Sequence, residues 1–518
     1  MKTKYTLLSL LACVCLVFTS CEGQLDISQH GVVSQSDFYQ TDDDAEEAIV
    51  ACYDAWLDSF FEDVFLKYFL GDECYAGGDN WTVGSCYLVT TMTFNSEYDH
   101  VLEYFSDMYT VVYRANVILD NVEPDTDIKA RAVAEARVFR ALAYIELISL
   151  WGTPPLVDHV LGADEYYQGN CDTETLWAFV EEDLTTAIES GDLTEKSSVS
   201  DWTYRVTKQF AQALLGKAYV YQEEWSSAIS VLEEVIDSGL YALVDDFSNV
   251  WTTRGECSTE SLFELNIVMN LNDVFSSGDI SYNYLHWRAD MLDFDNTLEC
   301  ATYDQTCWGF LNPTKEAYDR FVAWEGEDGY RLNNSIKTYE QMQEIGVTVS
   351  STIAYMPDNA GLFPWKYRVY ADDIVFYYYA QIPDNVRVMR YADVLLLAAE
   401  ACVQSGNSSK ALTYVNEVRD RAQLDALTSV DMDVIMNERF CELFEEGNRW
   451  QDIIRWGVAD ELLADRGKKR PALYADGTVD WTLQTNSSAG WNSDKFWLLP
   501  FPGVEVNSNP NIEQNPGW

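Results

Sequence analysis

LLGKAYVYQEEWSSAI, residues 214–229, decides the architecture. Gly216, Tyr219 and Ala228 stand at the small–Tyr–Ala spacing of a tetratricopeptide unit, in which small residues let paired helices pack closely. The same spacing returns as Ala399, Cys402 and Ala411 in AAEACVQSGNSSKAL, residues 398–412. Small residues at helix crossings occur in any bundle, so the reading depends on the pattern around these two stretches.

That pattern is long 3.6-residue periodicity. It predicts helices over Asp42–Phe60, Tyr98–Val122, Asp127–Trp151, Thr175–Glu189, Thr207–Gln222 and Trp225–Ser238. Thr41 followed by three aspartates suits a helix N-terminus, and Gly152 with Pro154-Pro155 is an abrupt stop. Periodicity resumes over Arg387–Gln404, Ser409–Arg421, Val434–Glu446 and Arg449–Leu463. The fold class is therefore mainly α: a tetratricopeptide-like helical scaffold over about 40–245 and 386–463. A large irregular, loop-rich region over about 246–385 interrupts it, and an extended tail of 497–518, rich in Pro and Asn, closes the chain.

The first residues, MKTKYTLLSLLACVCLVFTSCEGQLD, read as a secretory leader. Lys2 and Lys4 form a positive start, Leu7 to Phe18 is an apolar run of about a dozen residues, and Thr19-Ser20 precede Cys21. The run is too short to span a bilayer comfortably. Small residues directly before Cys21 mark a bacterial lipoprotein cleavage box, so residues 1–20 are the signal peptide. Cys21 then becomes the lipid attachment point of a mature 21–518 chain tethered by acyl groups.

Lys+Arg total 33 against 85 Asp+Glu, a net charge of −52 that becomes −54 when Lys2 and Lys4 leave. Such a charge repels nucleic acid and anionic surfaces. It does not signal disorder, because 47% of residues are hydrophobic and 14% aromatic. Of twelve cysteines, Cys13 and Cys15 leave with the leader and Cys21 takes lipid. The nine others form no C-x-x-C pair, so neither a zinc site nor a disulfide framework is indicated. Cys52, Cys402 and Cys441 read as small core residues, while Cys74/Cys86 and Cys300/Cys307 could each close a short loop.

Further blocks recur in order along the chain. They include Tyr113-Arg114-Ala115-Asn116, Leu119-Asp120-Asn121, Ala136-Arg137, Arg140-Ala141, Tyr144 and Gly152-Thr153-Pro154-Pro155-Leu156. Later come the run Arg390 to Leu396, Glu400-Ala401, Asn416 to Arg419, Arg421-Ala422, Glu438-Arg439, Glu442-Leu443, Glu446-Gly447 and Arg449 to Trp456. Pro500, Pro502, Glu505 and Asn509 to Trp518 complete the set. Taken together, these blocks resemble the SusD/RagB-like outer-membrane lipoproteins of Bacteroidetes. The resemblance implies a nutrient-binding protein, lipid-anchored in the outer membrane and facing the cell exterior. It implies an oligosaccharide or polysaccharide ligand, a SusC-like TonB-dependent barrel as partner, and no cofactor. Membrane contact would be through the lipid alone.

Charges set within the apolar helices, such as Arg390, Asp393, Glu400, Arg419, Glu438 and Arg439, read as paired struts that fix how helices dock. Trp518 reads as a pin holding the tail to the scaffold. Function is therefore sought in the segments these blocks skip, Gly71–Asn95 and Asp246–Asp384. Flat aromatic rings on loops offer sugars a stacking face, and neighbouring carboxylates and amides bond hydroxyls directionally. The candidates are Asp79, Asn80, Trp81, Tyr87, Tyr282, Tyr284, Trp287, Arg288, Trp308, Trp365 and Tyr367. Gly77-Gly78-Asp79-Asn80 is turn chemistry that exposes Trp81.

No catalytic residue is indicated. His30, His100, His159 and His286 are the four histidines; none is paired at i,i+4, and no G-x-S-x-G elbow, Walker loop or G-x-G-x-x-G occurs. Asp293, Asp295 and Asp304 occupy three calcium-loop positions, but Leu298 replaces the loop glycine, so no metal is assigned. Three functions compete: a glycan-capturing lipoprotein, the same architecture binding peptide or another nutrient, and an all-α glycoside hydrolase. The last needs two carboxylates roughly 5–9 Å apart across an aromatic cleft.

Overall fold

The computed structural model of the chain describes residues 38–77, 83–196, 204–267, 287–294, 308–368, 370, 384–483 and 485–518. The leader and Cys21 lie outside the described residues, as do Cys300 and Cys307.

Helix α1 (Asp42–Asp58) starts on a capping box. The Asp44 amide donates to Thr41 Oγ1 at 3.1 Å, and the Thr41 amide donates back to the Asp44 carboxylate at 2.8 Å. Helices α2 (Asp99–Asn121) and α3 (Asp127–Trp151) pack on it and on each other. The α3 stop is Gly152, at φ +78°. α4 (Thr173–Ser190), α5 (Lys208–Tyr221) and α6 (Trp225–Asp237) continue the layer, each packed on its predecessor. α4 and α5 are capped by the side chains of Asp172 and Thr207.

The closeness of α5 and α6 has a plain cause. A β-carbon on Gly216 would stand 2.4 Å from a Leu232 methyl, so hydrogen is the only side chain the crossing accommodates without movement. α6 then packs against α7 (Tyr391–Gln404), and α7 against α8 (Ser408–Arg421), with Ala399, Cys402 and Ala411 fully buried between them. Two helical stretches separated by some 150 residues of chain thus form one scaffold, as the repeat spacing predicts.

Strand β1 (Ser261–Leu265) and strand β2 (Val386–Arg390) clamp the root of the irregular region. They run antiparallel, Ser261 opposite Arg390 and Leu265 opposite Val386, with a bulge near Phe263. Residues 387–390 are therefore strand and not the first turn of a helix; the cross-chain ladder outweighs local helical periodicity there. The helix expected over Val434–Glu446 ends earlier, as α9 (Met432–Glu442), and a turn follows in which Gly447 at φ +74° abuts the Tyr68 ring. Beyond α10 (Arg449–Arg455), Gly457 at φ +69° breaks the helix predicted to reach Leu463.

Buried charges hold the irregular region to the scaffold. Arg390 donates to Glu260 and Glu442 at 2.6 Å each and to Glu446 at 2.7 Å. Arg331 reaches Glu325 at 2.6 Å and Glu442 at 3.0 Å, and Arg439 bridges Asp393 at 2.7 Å and Asp452 at 2.8 Å. Arg455 closes on Glu400, and Arg419 on Glu438 at 3.2 Å. The helix charges are struts.

The tail is pinned as expected. Trp518 Nε1 donates to the Leu498 carbonyl at 2.9 Å, Trp151 Nε1 to the Pro500 carbonyl at 2.8 Å, and the Lys495 ammonium lies 3.9 Å from the Trp518 ring. Cys74 and Cys86 are both buried and are not joined by a disulfide, so they close no loop. Among the described residues, no helix is long and apolar enough to cross a membrane.

Candidate functional site

The two segments that lack scaffold motifs meet in space. Cys74–Tyr75 pairs antiparallel with Asn312–Pro313, and Thr314 donates its amide to Glu73 O at 2.9 Å and its hydroxyl to Asp72 O at 2.6 Å. Just beyond, Gly77 and Gly309 approach backbone to backbone, and Gly309 in turn lies against Arg288. A collar of surface residues surrounds this junction.

Three of the candidates lie on the collar. Trp308 is 37% exposed, its ring 6.1 Å from that of buried Phe310. Arg288 is half-buried and forks onto Asp290 at 2.6 and 2.9 Å. Tyr87, half-buried on the helix Val83–Thr90, has its ring 5.0 Å from the Arg470 guanidinium carbon. Arg470 is itself held by both carboxylate oxygens of Asp358, at 2.7 and 2.5 Å. Burial lifts the Asp358 carboxyl above the usual carboxylate range, against the pull of Arg470. Beside this fork Tyr355 and Tyr474 pack with ring centroids 5.7 Å apart, both half-buried.

Below the collar opens a cleft of about 720 Å³. Tyr75, Thr314, Arg320, Arg466, Lys468 and Trp481 contribute to its walls, with Asp72, Glu316, Glu461 and Asp465 supplying carboxylates. Its size suits a small-molecule site. A second, apolar groove of about 370 Å³ lies on the scaffold, where Tyr113 and Tyr166 are 55% and 61% exposed.

Other candidates fall elsewhere. Trp287 and Trp365 are 1% and 7% exposed and stack at 5.8 Å in a small core with Tyr339, Met342 and Phe363. Tyr367 is 2% exposed, packs edge-on against Trp251 at 5.0 Å, and donates its hydroxyl to the Glu445 carbonyl. These three rings are corrected from ligand faces to core: an irregular region of this size needs its own apolar centre, and large rings supply most of it. Asp79, Asn80, Trp81, Tyr282 and Tyr284 lie outside the described residues.

Tyr355, Asp358, Arg470, Tyr474 and Trp481 were not among the candidates, although a signal for some of them exists. Asp476-Gly477 is a hairpin turn, Gly477 sits at φ +86°, and Arg470–Leu473 pairs with Val479–Leu483 across it. That hairpin carries Arg470, Tyr474 and Trp481 to the site. Among the described residues with metal-ligand chemistry, Glu62, His100 and Glu103 are grouped.

Comparison with known proteins agrees with the fold. A family described as "Starch-binding associating with outer membrane" matches residues 47–220, and the SusD family matches residues 274–518. The SusD-like protein P25 of Formosa agariphila is 23% identical, over 97% of this chain and 97% of its own length. A solved laminarin-binding SusD-like protein superposes with a TM-score of 0.76 at 26% identity, over 92% of this chain and 99% of that one. Surface glycan-binding protein A from Bacteroides thetaiotaomicron, in complex with laminarihexaose, superposes with a TM-score of 0.71 at 24% identity, over 92% and 99%. With the helical scaffold, its charged struts and the pinned tail all in place, the chain belongs to the SusD/RagB-like family.

Proposed function

We propose that this chain is a surface lipoprotein that binds a neutral saccharide on the collar around Trp308, Tyr87 and Tyr474 and performs no chemistry on it. The observation that carries the reading is the convergence, at the Gly77–Gly309 junction, of the two aromatic segments that the scaffold motifs skip. Exposed Trp308 and half-buried Tyr87 and Tyr474, with guanidinium–carboxylate forks beside them, give a sugar both a stacking face and directional hydrogen-bond partners. The likeness to laminarin-binding and laminarihexaose-bound relatives supports a glycan as the ligand. A chain this acidic disfavours encounter with acidic polysaccharides. Affinity on the order of micromolar to millimolar suits a protein that must release its cargo.

In this reading residues 1–20 are removed, Cys21 carries the lipid, and residues 22–35 tether one binding unit over a TonB-dependent barrel. The tether raises the local concentration of the binding unit over its partner, to which the saccharide is passed. Affinity electrophoresis of the mature chain against a polysaccharide panel that includes laminarin tests the first part. Retardation without new reducing ends is expected; released reducing ends, or retention by peptides alone, would overturn it. Co-purification from detergent extracts tests the second, and recovery without any TonB-dependent barrel counts against it.

A further inference from the structure

Beneath the collar lies a trio that the saccharide reading leaves unused. Glu62 belongs to the short helix Phe60–Asp63, which runs directly into a π-helical turn, Val64–Tyr68. His100 and Glu103 stand three residues apart in the first turns of α2, and so share one face. His100 Nδ1 meets Glu62 Oε2, and the ligand-capable atoms of all three residues lie within 4.8 Å of one another. Glu62 is 7% and His100 8% exposed, whereas Glu103 reaches solvent. The imidazole cannot turn freely: it stacks on Phe65, centroids 3.7 Å apart and planes 15° apart, with Phe61 and Tyr98 against its edges.

The charges around the trio are unbalanced. Among the described residues, neither Glu62 nor Glu103 forms an ion pair with a lysine or arginine, and Asp99 and Asp107 add negative charge nearby. Two carboxyls brought together in a buried pocket must share a cation or surrender charge. One neutral imidazole nitrogen with two carboxylate oxygens is a donor set for zinc and its transition-metal neighbours; calcium and magnesium prefer oxygen alone. Ligand atoms on a common zinc ion stand about 3–4 Å apart, so binding would draw His100 Nδ1 and Glu62 Oε2 apart and bring the Glu103 carboxylate closer.

We propose that Glu62, His100 and Glu103 bind one divalent transition-metal ion, with zinc the species their chemistry fits. The ion joins the segment before the π-helical turn to the start of α2, and the exposed side of Glu103 leaves a position open to water. Rings continue from the trio toward the collar, Phe65 lying 5.7 Å from Phe310 and Phe310 6.1 Å from Trp308. The role is structural and stands whether or not the collar binds saccharide. Linear spacing hides the site because Glu62 and His100 are 38 residues apart.

The test uses the mature chain, stripped with a chelator and titrated with zinc chloride alone, with Co²⁺ as a spectroscopic stand-in. One ion bound per chain, visible Co²⁺ bands and a higher melting temperature are expected. Glu103→Gln, at an exposed position that leaves the fold intact, should weaken zinc binding by about tenfold or more and alter the Co²⁺ bands. His100→Gln, checked by circular dichroism, should do the same. Absence of binding at micromolar zinc, or stoichiometric binding that both variants leave unchanged, overturns the proposal.

Discussion

A β-carbon on Gly77 would stand 2.2 Å from the carbonyl oxygen of Gly309, and Gly77 holds φ at +67°. Both facts require glycine, and together they lock the two loop segments edge to edge. Gly77→Ala is expected to cost about 2 kcal/mol or more, from the left-handed backbone and the collision combined. Urea denaturation reads the cost, and affinity electrophoresis should show saccharide retention falling with it. Unchanged stability and retention would show that the collar does not depend on this contact.

Trp308→Ala and Tyr474→Ala should each weaken saccharide binding by about 1–2 kcal/mol, roughly 5- to 30-fold, because each removes a ring face. Tyr113→Ala, in the separate apolar groove, should leave affinity unchanged. Calorimetric titration distinguishes the cases; equal losses at all three positions would move the site off the collar.

Glu442 is a hub for three guanidiniums, accepting from Arg390 at 2.6 Å, from Arg331 at 3.0 Å, and from Arg421. Burial would raise its carboxyl, but Arg421, Arg390 and Arg331 outweigh burial and hold it well below the usual range. Glu442→Gln leaves buried positive charge uncompensated and should destabilise the fold by about 3–5 kcal/mol. Glu233→Gln, which removes the charge paired with half-exposed Lys410 but leaves an oxygen to accept from the Tyr414 hydroxyl, should barely move the midpoint of chemical denaturation.

Stability should fall as pH rises from 5 to 8. Burial, opposed by Arg449 and reinforced by Asp72, pushes Glu73 up to about 8. Burial and then Glu73 push Glu445 up as well, and among the described residues neither Glu445 carboxyl oxygen finds a hydrogen-bond partner. A carboxyl raised in the folded state binds its proton more tightly there than when unfolded. Its contribution is therefore complete below the ordinary glutamate range and is lost as pH passes through about 8. Each such group contributes a slope of up to about 1.4 kcal/mol per pH unit. Glu73→Gln should flatten the wild-type slope in urea melts at pH 5, 6.5 and 8; parallel slopes would remove Glu73 from the account.

Where local chemistry is strong, chain and structure agree closely. Thr41 before Asp42-Asp43-Asp44 starts α1, Gly152 before two prolines ends α3, and Gly216 sits where α5 and α6 touch. Agreement fails at Arg387–Arg390, where pairing with Ser261–Leu265 imposes a strand, and at Gly457, which cuts a periodic run in two. It fails again for Trp287 and Trp365. Their surroundings in the chain resemble those of Trp308, yet two are core and one is surface.

Helix periodicity, caps and small-residue spacing are written within a turn or two of each residue, so the scaffold and its family could be read directly from the chain. The face each aromatic presents depends on partners far away in sequence: Trp287 for Trp365, Arg470 for Tyr87, Gly309 for Gly77. Burial of a ring is a property of everything that packs around it, and in a region without periodicity no local pattern encodes that packing.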